Sequence, residues 1–189
     1  MGQYYKPVCL SDNKKNVIGF IYSHDLGEGL KLMEHSYIEN KLMRCVEALL
    51  IPGGAWHKKP IVWAGDYAEP EEHTGENLYG MADGAQRDGE GVSIKFLPKP
   101  LSVAQSKLHR YIINHSKKEY VDKQDVPSYN GGWKIHPLSI MTAEGNGQGG
   151  GDFFGKDPKG LVGKWARDII SVEKSVPSGY KKILFNLTR

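Results

Sequence analysis

The chain has 189 residues, of which 39% are apolar and 10% aromatic, a composition typical of a folded globular protein and not of a disordered one. Its 25 Lys and Arg residues are scattered and nearly balanced by 22 Asp and Glu residues, and a net charge of +3 argues against nucleic acid as a partner. No apolar run approaches the roughly 18 residues of a membrane-spanning helix, so no membrane partner is expected.

Short strands separated by turns account for most of the predicted elements, as the 23 glycines and 10 prolines favour. Residues 4–10 and 17–22 predict an opening hairpin around a turn at 11–16. Further extended segments are predicted at 60–67, 92–97, 119–122, 133–142, 161–172 and 181–187. Residues 102–115 fit either a short helix or a pair of strands.

One segment, about residues 37–51, has the pattern of a principal helix. Ser36 and Glu39 have the spacing of a capping box, and Pro52-Gly53-Gly54 would end the helix. Apolar residues recur at helical intervals on one face, namely Ile38, Leu42, Met43, Val46, Leu49 and Leu50. Glu47 falls off that face, so we predict that the helix contributes core packing and no chemistry.

Strands and helices do not alternate regularly, which argues against a doubly wound parallel sheet. We therefore predict an α+β fold, a single domain over residues 1–189, in which a twisted, mainly antiparallel sheet packs against this helix. Residues 68–91 are predicted to form a long acidic loop because they contain many carboxylates and glycines but few β-branched residues. Loops of this length often carry recognition residues.

A glycine-rich segment at residues 144–154 is the strongest candidate for a binding site. It places five glycines within seven residues between Glu144 and Asp152, and such a backbone can aim several N–H groups at one ligand. The predicted ligand-binding residues are Asp66, Asn146, Gly147, Gly149, Gly150, Gly151, Asp152 and Phe153. A single calcium-binding turn and a simple hairpin connection are the open alternatives. No Gly-Lys-Ser/Thr follows the glycines, so the segment is not a P-loop.

A second candidate site combines histidines with carboxylates. His24-Asp25 and Glu34-His35 flank a glycine-containing loop, and the set His24, His35, Asp66 and Asp152 would hold a divalent metal in a hydrolase. The spacing matches no established metal motif, so no cofactor is expected outside this alternative. No Gly-x-Ser-x-Gly nucleophile elbow is present.

Only two cysteines are present, and they are expected to be free thiols. Cys9 lies in a predicted strand and Cys45 near the buried face of the predicted helix. The first residues have neither the charged head nor the apolar middle of a signal peptide, so a reducing cytoplasm is the expected location. The large aromatic residues, including Tyr4, Trp133 and Trp165, are predicted to lie mostly in the core.

Several motifs resemble those of an uncharacterised family of small bacterial and phage-borne proteins. They are Met1-Gly2-Gln3-Tyr4-Tyr5, residues 27–34, Gly65-Asp66-Tyr67, residues 145–152 and Trp165-Ala166-Arg167-Asp168. The resemblance spans most of the chain, and it implies a phage or mobile-element origin but no activity.

The leading functional hypothesis is a soluble, non-enzymatic binding protein that holds a small polar ligand or a host protein through the glycine-rich segment and the acidic loop. Concentrated glycine and polar residues without a catalytic signature support it. The alternatives are the metal-assisted hydrolase and a protein–protein antagonist of a host defence factor. The sequence leaves the identity of the ligand and the oligomeric state open.

Overall fold

Nine strands form one largely antiparallel sheet in the computed structural model, which describes residues 3–84, 93–128, 132–145, 157 and 159–187. The strands are β1 (Tyr5–Leu10), β2 (Val17–Phe20), β3 (Lys59–Gly65), β4 (Ile94–Lys95), β5 (Tyr111–Asn114), β6 (Glu119–Asp122), β7 (Ala143–Glu144), β8 (Asp168–Glu173) and β9 (Lys181–Lys182). Their order is β4-β2-β1-β3-β8-β5-β6-β9, and β7 pairs with β3. The short strands β4, β7 and β9 pair in parallel, whereas the longer strands pair antiparallel.

The helices are short apart from one of ten residues. They are α1 (Leu32–His35), α2 (Lys41–Leu50), α3 (Leu78–Gly84), α4 (Val103–Leu108) and α5 (Pro137–Met141), with 3-10 turns at Ser23–Leu26 and Lys123–Asp125. The predicted α+β class is thereby confirmed. No helix within the described ranges has the length and apolar character needed to cross a membrane.

Both faces of the central strands are buried. Along β3, Ile61 and Trp63 join the large apolar cluster that includes α2, whereas Val62 and Ala64 join a second cluster that includes Leu78 of α3. Successive side chains of a strand point to opposite faces, so this division follows from the strand period. The helix α2 therefore covers one face, and α3 packs on the other.

The principal helix begins at Lys41, later than the predicted capping box at Ser36 and Glu39 would place it. Asn40 is the N-cap residue, since its Oδ1 accepts hydrogen bonds from Leu42 N at 2.8 Å and Met43 N at 3.3 Å. Glu39 has φ 74°, which no helical residue adopts. The predicted capping box is therefore wrong. The other residues of the predicted apolar face are buried, but Ile38 precedes the helix and is half-buried.

Two segments predicted as irregular or extended contain helices. Residues 68–91 include α3, whose Leu78 and Ala82 are buried against the sheet, so this segment is not one continuous loop. Residues 133–142 include α5, which begins at Pro137, a residue that favours the first helical position. The strand predicted at 161–172 begins only at Asp168, and residues 102–115 contain both α4 and β5.

Candidate functional site

An open cleft of about 970 Å³ lies beside the start of α2. One wall is formed by residues 37–40 and 132–134, which are held together by a bridge between Tyr37 and Ile135 and by Ile38 N donating to Lys134 O at 2.9 Å. The remaining lining residues come from four further places in the chain, namely Glu28, Glu34, Ser106, Lys107, Arg110, Lys123 and Gln124. The volume lies at the upper end of the range of small-molecule sites.

An aromatic pair lines this cleft. The rings of Tyr37 and Trp133 lie with centroids 5.3 Å apart and planes 65° apart, an edge-to-face arrangement. Trp133 is 60% exposed, whereas Trp56, Trp63 and Trp165 are at most 1% exposed. The prediction that Trp133 belongs to the core is therefore wrong. An exposed indole beside a second ring offers a contact surface for a ligand.

Three of the four cations of the cleft are paired with carboxylates. Arg110 binds Asp122 through two hydrogen bonds, with Nε 2.9 Å from Oδ1, and Lys107 lies 3.0 Å from Glu39. Lys123 pairs with the buried Glu47. The fourth, Lys134, donates to a backbone carbonyl, that of Gln124, at 3.2 Å.

Two carboxylates of the cleft have neutral partners. Glu28 accepts a hydrogen bond from Asn40 Nδ2 at 2.8 Å, and Glu34 accepts one from Lys31 N at 3.0 Å. Neither forms an ion pair with any residue that the structure describes. Their charges therefore remain available to a ligand.

A buried polar cluster adjoins the cleft, since two of its members, Ser106 and Lys123, line the cleft. Glu47 Oε1 accepts hydrogen bonds from Lys123 and from His136 Nε2, the latter at 3.0 Å, and Lys123 Nζ also donates to the carbonyl and hydroxyl oxygens of Ser106. Burial alone would raise the pKa of Glu47, but His136 and Lys123 outweigh it and lower the pKa to about 2. Glu47 is 1% exposed, so the helix is buried at this position as well, outside the apolar face to which the sequence assigned its core packing.

The predicted glycine-rich site is described only at its start. Asn146, Gly147, Gly149, Gly150, Gly151, Asp152 and Phe153 lie outside the described residues. Glu144 pairs with Ala64, so β7 ends beside the end of β3, and a Cβ on Gly145 would lie 2.6 Å from the hydroxyl of Tyr5. Asp66 lies just beyond that end, where its Oδ1 accepts from Tyr4 N at 2.9 Å. It is not one of the residues that line the cleft.

The two histidines of the alternative metal site lie in different surroundings. His24 is exposed on the turn Ser23–Leu26, whereas His35 is fully buried. Trp63 Nε1 donates to His35 Nε2 at 2.9 Å, and His35 Nδ1 donates to Gly29 O at 2.9 Å, so both ring nitrogens are occupied. Burial lowers the pKa of His35 to about 4. Among the described residues, no three His, Cys, Asp or Glu side chains are grouped closely enough to hold a metal ion.

Comparison with known proteins gives no match to any family model, curated protein or solved structure. The cleft residues were missed by sequence reasoning because they come from six separate segments between 28 and 134. The nearest local signal is sequence composition, since Trp133 stands between Gly131-Gly132 and Lys134, a polar and glycine-rich setting for an indole.

Proposed function

We propose that the protein is a non-catalytic binding protein that holds a small polar ligand in the cleft beside α2. The observation that carries the proposal is the exposed Trp133 packed on Tyr37 inside a cleft of about 970 Å³. Ligand sites combine an apolar or aromatic surface with a few directed polar groups. The cleft has both, because Arg110 and three glutamates share its lining with the rings.

The hydrogen bonds of the buried cluster favour binding over catalysis. Lys123 Nζ is surrounded by three oxygen acceptors, and His136 donates from Nε2 while its Nδ1 accepts from Leu138 N at 3.2 Å. A general acid or base needs a proton-carrying atom that can reach the substrate. Here the nitrogen atoms are committed to neighbours, so the cluster serves to fix the cleft wall.

Screening a fragment library by NMR tests the proposal. The library contains acids, amines and uncharged fragments, and the signals observed are the indole N–H groups of the four tryptophans. We expect bound fragments to shift the Trp133 signal and not those of the three buried indoles. Isothermal titration of the fragments that bind supplies a readout independent of the indole: Trp133→Ala should abolish their binding, whereas Tyr67→Ala, which removes an exposed aromatic residue outside the cleft, should leave it unchanged.

The same screen shows whether the ligand binds in the cleft or at the glycine-rich segment. A fragment that shifts the backbone signals of Asp66 and Gly145 but not the Trp133 indole would place the ligand at the end of β3. That outcome would contradict the cleft as the site and support the sequence-based prediction. A library that shifts neither region would contradict ligand binding at both.

A further inference from the structure

The balance of charge and aromatic surface in the cleft points to one class of ligand. Resting on the proposed function, we infer that the cleft takes a small molecule with an organic cation, an alkylammonium or a guanidinium group. The inference depends on the angle between Tyr37 and Trp133, on the carboxylates of Glu28 and Glu34, and on the pairing of the other charged residues.

The two rings meet at an angle in the lining of the cleft. Their planes are 65° apart and their centroids 5.3 Å apart, so a ligand cation placed against the pair would face the exposed indole of Trp133 with Tyr37 beside it. The face of an aromatic ring carries negative potential, which attracts ammonium and guanidinium groups, and indole attracts them best. Recognition of quaternary ammonium groups by sets of aromatic rings follows this arrangement.

The carboxylates of the cleft add to that preference. Glu28 and Glu34 receive hydrogen bonds only from an amide side chain and a backbone N–H, so their negative charge is not neutralised by a described cation. Glu34 is exposed and Glu28 half-buried. A ligand cation would gain an ion pair from either residue, in a cleft where solvent screening is weaker than on an open surface.

An anionic ligand would have to compete with existing pairs. Arg110 is held by two hydrogen bonds to Asp122, which is only 4% exposed, and Lys123 is held by Glu47. Drawing either cation away would leave a buried carboxylate without its partner, which is costly. Lys134 is the one cation of the described lining that has no carboxylate partner, so the cleft offers an anion a single free charge.

A pair of probes with the same shape and different charge tests this inference. Choline and its uncharged carbon analogue 3,3-dimethylbutan-1-ol are titrated into the full chain, with inorganic phosphate as the anionic probe, and the Trp133 indole signal is followed. We expect choline to bind about tenfold more tightly than its analogue, as a cation–π contact with an added ion pair implies. Phosphate should leave the signal unchanged.

Variants identify the source of the preference. Glu28→Gln and Glu34→Gln keep an oxygen acceptor for Asn40 and Lys31 but remove the charge, so each should weaken choline binding and leave the analogue unaffected. Isothermal titration replaces the indole signal for variants of Trp133: Trp133→Phe should retain most of the choline affinity because it keeps a π-face, whereas Trp133→Leu should lose about tenfold. A melting temperature equal to that of the wild type would show that each variant is folded.

The outcomes distinguish the ligand class from the proposed function. Equal binding of choline and its analogue, or a Trp133 shift with phosphate alone, would overturn the cation inference while leaving the cleft as a ligand site. If choline does not shift the Trp133 indole signal while uncharged or acidic library fragments do, the cation inference is again overturned and the binding function stands. If neither the probes nor any library fragment shifts Trp133, both fail.

Discussion

His136 donates its Nε2–H to Glu47 Oε1 at 3.0 Å, and the same oxygen accepts from the ammonium group of Lys123. Because His136 Nδ1 accepts from Leu138 N, the imidazole is neutral, and burial lowers its pKa. The carboxylate thus joins α2 to the 3-10 turn after β6 and to His136, the N-cap residue of α5. These three elements are distant in sequence, so the contact holds them together in the tertiary structure next to the cleft.

Removing the charge of Glu47 should destabilise the protein strongly. Glu47→Gln keeps a hydrogen-bond acceptor but leaves the ammonium of Lys123 buried without a counter-charge, which costs about 3–5 kcal/mol. Urea unfolding measures this loss in the free energy of unfolding. Asp12→Asn removes the exposed partner of Lys59 and should leave the unfolding midpoint unchanged. A Glu47→Gln variant within about 1 kcal/mol of the wild type would contradict the buried ion pair.

Stability should fall in two steps as the pH is lowered. The pKa of His35 is about 4 in the folded chain against an ordinary 6.5, so the unfolded chain binds the extra proton between these values and stability falls from pH 6.5 to 4. The pKa of Glu47 is about 2 against an ordinary 4.5, so stability falls again from pH 4.5 to 2. Each fully buried group contributes about 3 kcal/mol over its window.

Two variants assign these steps. Urea unfolding at a series of pH values should show a shallower slope between pH 6.5 and 4 for His35→Gln, and between pH 4.5 and 2 for Glu47→Gln. The first slope should not vanish, because the pKa values of His115 and His136 are also lowered by burial. A wild-type stability that does not change between pH 6.5 and 4 would contradict the buried, neutral His35.

The start of α2 can be tested with two substitutions. Asn40→Ala removes the acceptor for the N–H groups of Leu42 and Met43 and should cost about 1 kcal/mol. Ser36→Ala should cost nothing or stabilise slightly, because the buried Ser36 hydroxyl has no hydrogen-bond partner in the described part of the chain. Urea unfolding of both variants decides between them. The opposite ranking would restore the capping box predicted from the sequence.

Much of the fold could be predicted because its signals are local. The apolar period of α2 and the β-rich segments around β1 and β3 lie within short windows, where strand and helix periods are distinct. The short helix α5 could not be predicted because five residues are too few to show a helical period. The start of α2 was misplaced because Asn40 and Ser36 have equal capping propensity. The left-handed backbone at Glu39 and the bridge between Tyr37 and Ile135 exclude the earlier start, and both depend on the tertiary structure.

The candidate site could not be predicted for a different reason. The cleft depends on the approach of segments such as 37–40, 106–110 and 132–134, none of which carries a motif. The burial of Glu47 could not be predicted from α2 alone, because Glu47 falls outside the apolar face of the helix and is buried there by Lys123 and His136. Partners that are 76 and 89 residues away leave no local pattern.

The last prediction concerns Arg167, which joins Glu71 to β7, the strand that precedes the glycine-rich segment in the chain. Its guanidinium binds Glu144 of β7 and Glu71, with Nε 2.8 Å from Glu144 Oε2 and Nη1 3.0 Å from Glu71 Oε2. The hydrogen bonds to Glu144 raise the pKa of Arg167, so it stays charged. Its backbone has φ 63°, a conformation that a residue with a Cβ adopts at a cost.

Comparing two substitutions separates the side chain from the backbone. Arg167→Ala and Arg167→Gly both lose the ion pairs, but glycine relieves the left-handed strain, so the alanine variant should be less stable than the glycine variant by about 1 kcal/mol in urea unfolding. In both, the amide of Glu71, which donates to Glu76 O at 2.9 Å, should exchange with solvent faster than in the wild type. Arg167→Lys should restore little of the protection, because one ammonium cannot reproduce the forked contacts with two carboxylates. If exchange at Glu71 stays at the wild-type rate in all three variants, Arg167 does not hold this segment against β7.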